Sequence, residues 1–197
     1  MNFKTLFSVI RTTLVASTLF ATAHMALAQA APKVKFATSS GDFVVEVYPD
    51  KAPKTVENFL QYVKDKHYDG TVFHRVINNF MVQGGGFDAN FQQKPTRAPV
   101  VHEGRQAMEK GLRNSVGTLA MARTNDPQSA TAQFYINVKD NAFLDPSTQG
   151  HGYTVFGKVV SGMDVIDKIK IVPTGMGPVG ADVPKTPILI NSATLVK

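Results

Sequence analysis

Arg75 stands inside an apolar run, Phe73-His74-Arg75-Val76-Ile77, and Phe80, Met81 and Gln83 follow it closely. An arginine is seldom set into an apolar surface without a partner or a task. From the residues alone two readings stay open. Either the guanidinium is paired to a carboxylate for structural reasons, or it presents its charge to a reacting group. The usual covalent and metal-assisted constellations are missing. There is no G-x-S-x-G elbow and no H-E-x-x-H, and Gly84-Gly85-Gly86 lacks the Lys-Ser/Thr of a phosphate-binding loop. His67, His74, His102 and His151 have no metal-ligand spacing and read as surface or hydrogen-bonded structural histidines. With no cysteine in the chain, thiol catalysis, zinc-thiolate sites and disulfide exchange drop out. No metal or cofactor site stands out. What remains is the arginine among apolar strand residues, with both readings open.

The elements that must position these residues are mostly strands. Lys33–Thr38 alternates, Ser39-Ser40-Gly41-Asp42 is a turn, and Phe43, Val45 and Val47 alternate again, which predicts a hairpin. Pro53 suits the first turn of a helix, and Val56, Phe59, Leu60 and Val63 then form one apolar stripe ending near Asp69-Gly70. Phe73–Ile77 and Phe80–Gln83 are short strands around Asn78-Asn79. Residues 88–114 show no period and carry Pro95, Pro99, Gly104 and Gly111, so they read as a long loop. Thr118–Ala122, Gln133–Val138, Tyr153–Val160 and Ile188–Val196 are further strands. Ser161-Gly162-Met163-Asp164 predicts a capping-box start for a short helix bearing Val165, Ile166 and Ile169. Residues 173–187, rich in Gly and Pro, read as a loop. Many short antiparallel strands with two isolated helices predict a mainly β fold, a closed barrel with helices at its ends.

Composition is that of a globular domain, with 43% hydrophobic and 18% charged residues. Residues 1–28 differ. Lys4 and Arg11 are their only charges, Leu14–Ala28 is apolar or small, and Ala26-Leu27-Ala28 ends it as a cleavage motif. That describes a secretory signal peptide, cleaved after Ala28 or after Ala30. Residues 29–197 then form one domain with no membrane attachment. Loss of Lys4 and Arg11 takes the formal charge of +6 to +4. This excess is scattered, without a basic run or interleaved aromatics, so nucleic acid is not expected as a partner.

Three ordered blocks carry a resemblance. Residues 73–85 (FHRVINNFMVQGG) resemble the central signature of the cyclophilins. GTLAMA at 117–122 with SATAQFYIN at 129–137 resembles their second signature, and FLD at 143–145 with VFGKV at 155–159 follows in the same order. The likeness spans Val34 to Val196 and is strongest to the periplasmic cyclophilins of Gram-negative bacteria. It implies an eight-stranded antiparallel closed β-barrel capped by two α-helices. It implies a peptidyl-prolyl cis/trans isomerase that assists folding of exported proteins in the periplasm, without cofactor. The catalytic arginine of the family falls on Arg75. The proline pocket falls on Phe80, Met81, Tyr135 and Leu144, with Gln83 and Gln133 as substrate-binding glutamines. The backbone that pairs with the peptide falls on Ala122 and Arg123, and the rim on Phe143 and Tyr153. His74 and the three glycines read as structural.

The chain departs from the family at the rim. Phe143 replaces a common Trp, so cyclosporin binding is expected to be weak. Tyr153 replaces a rim His, with His151 close by. Tyr135 replaces the usual Phe, and its hydroxyl needs a partner. The segment 146–152 is longer than in short members. Expected partners are proline-containing unfolded or flexible polypeptides, bound by a monomer. A proline-peptide-binding chaperone with little turnover is the alternative, and an unrelated barrel for a small apolar ligand is a third reading.

Overall fold

Alternation at the start of the domain produces the expected hairpin. In the computed structural model, which describes residues 30–196, β1 (Lys33–Thr38) and β2 (Gly41–Val47) pair antiparallel, with Val34, Phe36, Phe43, Val45 and Val47 buried. Helix α1 (Pro53–Lys64) follows with Pro53 in its first turn. Its buried face holds Thr55, Val56, Phe59, Tyr62 and Val63, while Leu60 only flanks the core. No side chain of its own caps it. Instead the Glu103 carboxylate, 48–49 residues further on, accepts from the Lys54 and Thr55 amides at 3.1 and 2.7 Å and from the Thr55 hydroxyl. This satisfies donors that a helix start leaves orphaned and places a negative charge at the positive end.

Strands β3 (Thr71–Ile77) and β4 (Met81–Asp88) meet across a turn at 78–80, and β4 runs on through all three glycines. The chain between β4 and β5 is not all loop: Gly104–Glu109 forms α2, a six-residue helix that carries too few apolar repeats to register as a period. Then come β5 (Thr118–Met121), β6 (Phe134–Asn137), β7 (Val155–Ser161) and α3 (Met163–Ile169). The expected capping box at Ser161 is not formed. Gly162, at φ 78°, is the N-cap and makes no side-chain cap bond. Any Cβ there would meet the Asp42 carbonyl and Phe43. The stretch 173–187 is also structured, as a hairpin of β8 (Thr174–Gly177) and β9 (Gly180–Pro184). Strand β10 (Leu189–Leu195) closes the chain.

The eight strands other than β8 and β9 close in the order β1-β10-β3-β4-β6-β5-β7-β2. Inside, Phe36, Phe43, Phe59, Tyr68, Phe73, Phe134 and Phe156 pack ring on ring, with Phe36 and Phe43 stacked at 4.9 Å. Aromatic pairs of this kind add specificity beyond burial. The barrel and the helices α1 and α3 are as expected, and α2 is additional. The expected signal peptide at 1–28 lies outside the described residues.

Candidate active site

Register decides what the outer wall of the barrel displays. Arg75 on β3 lies opposite Gln83 on β4, Gln83 opposite Tyr135 on β6, and Tyr135 opposite Ala120 on β5. These four residues form one row across four strands, about 4.8 Å apart. The pleat alternates faces, so Val82 and Ile136, each one residue away, point into the core with no exposure. Met81, two residues from Gln83, shares the outer face, opposite Ile77 and Asn137.

A cavity of about 170 Å³ opens over this row, lined by Arg75, Phe80, Met81, Gln83, Ala122, Arg123, Tyr135, Leu144 and Tyr153. Nine of the eleven expected site residues therefore share one wall system. Gln133 lies just outside, lining an adjoining groove with Gln83, Ala122, Arg123 and Thr131. Its Oε1 accepts from Gln83 Nε2 at 2.9 Å, which fixes the amide between the two spaces. Gly86 makes this possible, because a Cβ there would sit 2.5 Å from the Gln133 side chain. That glycine serves the site, not only the barrel. Gly85, at φ 84°, instead admits the Tyr68 and Phe134 rings. Phe143 is outside the lining, 75% exposed, and its ring stacks on Phe80 at 5.8 Å as an outer rim.

The Tyr135 hydroxyl has its partner. It donates to Asn114 Oδ1 at 2.7 Å. Asn114, buried, donates through its backbone and side-chain nitrogens to Asp145 Oδ1, both at 2.8 Å. Asn141 donates to the Phe80 carbonyl and to Asn137, whose amide reaches Asn114 and Thr118. A closed polar network thus backs three walls of the cavity. Burial, then the nearby Tyr153, drives the Tyr135 phenol well above its ordinary pKa, so it stays a neutral donor. Nothing local in 88–114 marked Asn114 as part of a site.

The rim is rigid on its other side. Arg123 lies over the Tyr153 ring at 4.6 Å, and its Nε and Nη2 donate to the Gly152 carbonyl at 3.0 and 2.8 Å. Tyr153 meets Tyr135 edge-on. Strand β5 ends at Met121, and the Ala122 amide is already donated to the Gln133 carbonyl. The Ala122 carbonyl and the Arg123 amide make no backbone hydrogen bond among the described residues, so these are the groups free to pair with a peptide. His67 bonds the Gly85 carbonyl and His102 the Gly152 carbonyl, while His74 packs on Phe87 away from the cavity. Among the described residues no group of three His, Cys, Asp or Glu is placed to hold a metal.

A basic side chain over an apolar pocket on the outside of an eight-stranded barrel narrows the comparison. Residues 33–195 match the family of cyclophilin type peptidyl-prolyl cis-trans isomerases. The chain belongs to that family. This cyclophilin is 55% identical over 166 residues to peptidyl-prolyl cis-trans isomerase cyp18 of Streptomyces antibioticus, covering 83% of this chain and 98% of that protein. It is 53% identical over 165 residues to peptidyl-prolyl cis-trans isomerase B of Escherichia coli, covering 82% and 98%. To a peptidyl-prolyl cis-trans isomerase of Acinetobacter baylyi it is 49% identical over 185 residues, covering 94% and 95%. In structure it is similar to a cyclophilin type isomerase of Cryptosporidium parvum, with a TM-score of 0.67 at 22% identity over 85% of this chain and 98% of that one, which bears on the fold.

Proposed function

We propose that this cyclophilin isomerises X–Pro peptide bonds by electrostatic stabilisation of the twisted amide, with Arg75 as the catalytic residue. Resonance holds the peptide C–N bond behind a barrier of about 18–20 kcal/mol, and X–Pro bonds exchange unaided in roughly 10–100 s. Reaching milliseconds takes about four decades, or roughly 5.5 kcal/mol. As the bond twists, the prolyl nitrogen becomes pyramidal and recovers its lone pair. A guanidinium donates a hydrogen bond to that nitrogen, which the planar ground state accepts poorly. This is binding stronger in the transition state than in the substrate. Phe80, Met81, Tyr135 and Leu144 hold the pyrrolidine ring, and Gln83 with Gln133 holds a peptide carbonyl. The Ala122 carbonyl and the Arg123 amide pair with the peptide main chain. Because recognition is mostly backbone and ring, dependence on sequence is weak.

The observation that carries this reading is the cross-strand row Arg75–Gln83–Tyr135 under one cavity. Arg75→Ala, tested in a protease-coupled assay on a proline peptide, is expected to lose about 10²–10³-fold in kcat/KM with an unchanged melting temperature. Arg75→Lys rescues poorly because it lacks the planar fork. A folded Arg75→Ala protein with wild-type turnover would remove Arg75 from the mechanism. If the wild type binds the peptide but turns it over no faster than water, the chaperone reading takes its place.

The composition of residues 1–28 supports export with a cleaved signal, and the resemblance to periplasmic cyclophilins supports action in the periplasm on unfolded or flexible proline-containing chains. N-terminal mass analysis of protein from the cell envelope checks the cleavage after Ala28 or Ala30. Without an indole N–H at position 143, cyclosporin inhibits weakly, which a titration of the same assay measures.

A further inference from the structure

The hairpin β8–β9 packs its second strand against β3, along the segment of β3 that carries Arg75. β10 pairs with β3 at Val72 and Thr71, the Phe73 amide donates to the Ile188 carbonyl at 3.0 Å, and β9 lies close to β3 without joining the barrel sheet. It brings one charge to the site. Asp182 Oδ2 lies 3.9 Å from Arg75 Nε. Among the described residues this is the only carboxylate paired with Arg75, and the guanidinium makes no hydrogen bond to any of them. Asp182 adopts φ 64°, the left-handed region, in the middle of a strand. Asp and Asn tolerate that region better than other residues with a Cβ, at some cost. The neighbouring Val183 is buried, and Gly177 across the hairpin has no room for a Cβ because Val183 fills it. The hairpin is therefore pinned by Val183, and the left-handed turn just before it sets the position from which Asp182 meets Arg75.

We propose that Asp182 is a positioning residue for Arg75, an inference that rests on the role given to Arg75 above. At 3.9 Å, outside hydrogen-bond reach, the carboxylate draws the Nε edge of the fork towards β9 by charge alone. The Nη edge is left for the prolyl nitrogen, because the guanidinium is planar and its two edges face different ways. Preorganised donors stabilise a transition state only if they are already aimed when charge develops. The pair is partly solvated, 43% and 40% exposed, so its effect is modest and salt-dependent.

Asp182→Asn tests this, since Asn keeps the size and the left-handed backbone and removes only the charge. The readouts on the full chain are kcat and KM for a proline peptide at low and high salt, with thermal unfolding alongside. The expected result is a loss of about three- to tenfold in kcat with KM nearly constant. Added salt lowers the wild-type kcat towards that of Asp182→Asn and leaves the variant flat. Asp182→Glu restores part of the loss. Asp182→Gly, which relieves the backbone, reproduces the loss even if Asn perturbs the hairpin. On an Arg75→Lys background, which has no Nε, Asp182→Asn costs nothing further. Equal kcat in wild type, Asp182→Asn and Asp182→Gly would overturn the proposal, as would an equal loss on the Arg75→Lys background. Those outcomes leave the Arg75→Ala result intact, so failure here is distinct from failure of the catalytic assignment.

Discussion

At the scale of single residues, Tyr135 shows how a pocket absorbs a polar atom. Its ring serves the apolar wall while its hydroxyl is spent on Asn114 behind it. Tyr135→Phe removes the donor, but Asn114 Oδ1 still receives Asn137 Nδ2 at 3.2 Å. The expected loss in urea unfolding is about 0.5–1.5 kcal/mol. Asn114→Ala is worse, because it strands a buried phenol and withdraws a donor from Asp145. A loss of about 1–3 kcal/mol is expected, with a higher KM as the Tyr135 and Leu144 walls loosen. The opposite ranking in denaturant titrations would mean that the network does not depend on Asn114.

At the scale of elements, β4 does two jobs with adjacent glycines. Gly85→Ala forces a side chain at φ 84° against the Tyr68 and Phe134 rings at 2.8 and 3.0 Å. A core cannot yield there, and about 3 kcal/mol of stability is expected to go. For Gly86→Ala the nearest obstacle is the Gln133 side chain, at 2.5 Å. That side chain swings away, the Gln83–Gln133 bond breaks, and KM rises about three- to tenfold while the melting temperature stays close to wild type. Thermal scans and peptide kinetics on the two variants separate a barrel glycine from a site glycine. The hairpin β8–β9 makes the same point from the other side, since an element outside the barrel supplies the charge beside Arg75.

At the scale of the molecule, acid sensitivity is built into the fold and not into the chemistry. Burial lowers the His74 pKa from 6.5 to about 4 and lowers those of His67 and His102 as well. The unfolded chain binds these protons more readily than the folded one. Stability is therefore full above about pH 6.5 and falls as the pH drops towards 4. His74 alone accounts for on the order of 2–3 kcal/mol at pH 4. Urea titrations from pH 7 to pH 4 measure the slope, and His74→Gln flattens it. The reaction draws on no group that titrates between about pH 7 and 9, so kcat/KM is expected to be level there.

The local pattern alone carried the two-residue period of the hairpin β1–β2, the α1 stripe and the run around Arg75, because those signals depend on near neighbours. The three ordered blocks carried the family likeness and, through it, nine residues that the structure gathers at one cavity. Short elements with few apolar repeats were not legible. Thus α2 and the hairpin β8–β9 read as loop, and Gly162 rather than Ser161 caps α3. The partners that finish the site also come from far along the chain. Asn114 meets Tyr135 across 21 residues, Gln83 meets Gln133 across 50, and Asp182 reaches Arg75 from the far hairpin. Sequence determined which side chains are available to the cavity and that an arginine stands among them. Barrel closure decided which strand lies beside which, and so which carboxylate and which amide surround that arginine. Contacts between residues distant in the chain are set by register and packing, and no local pattern encodes them.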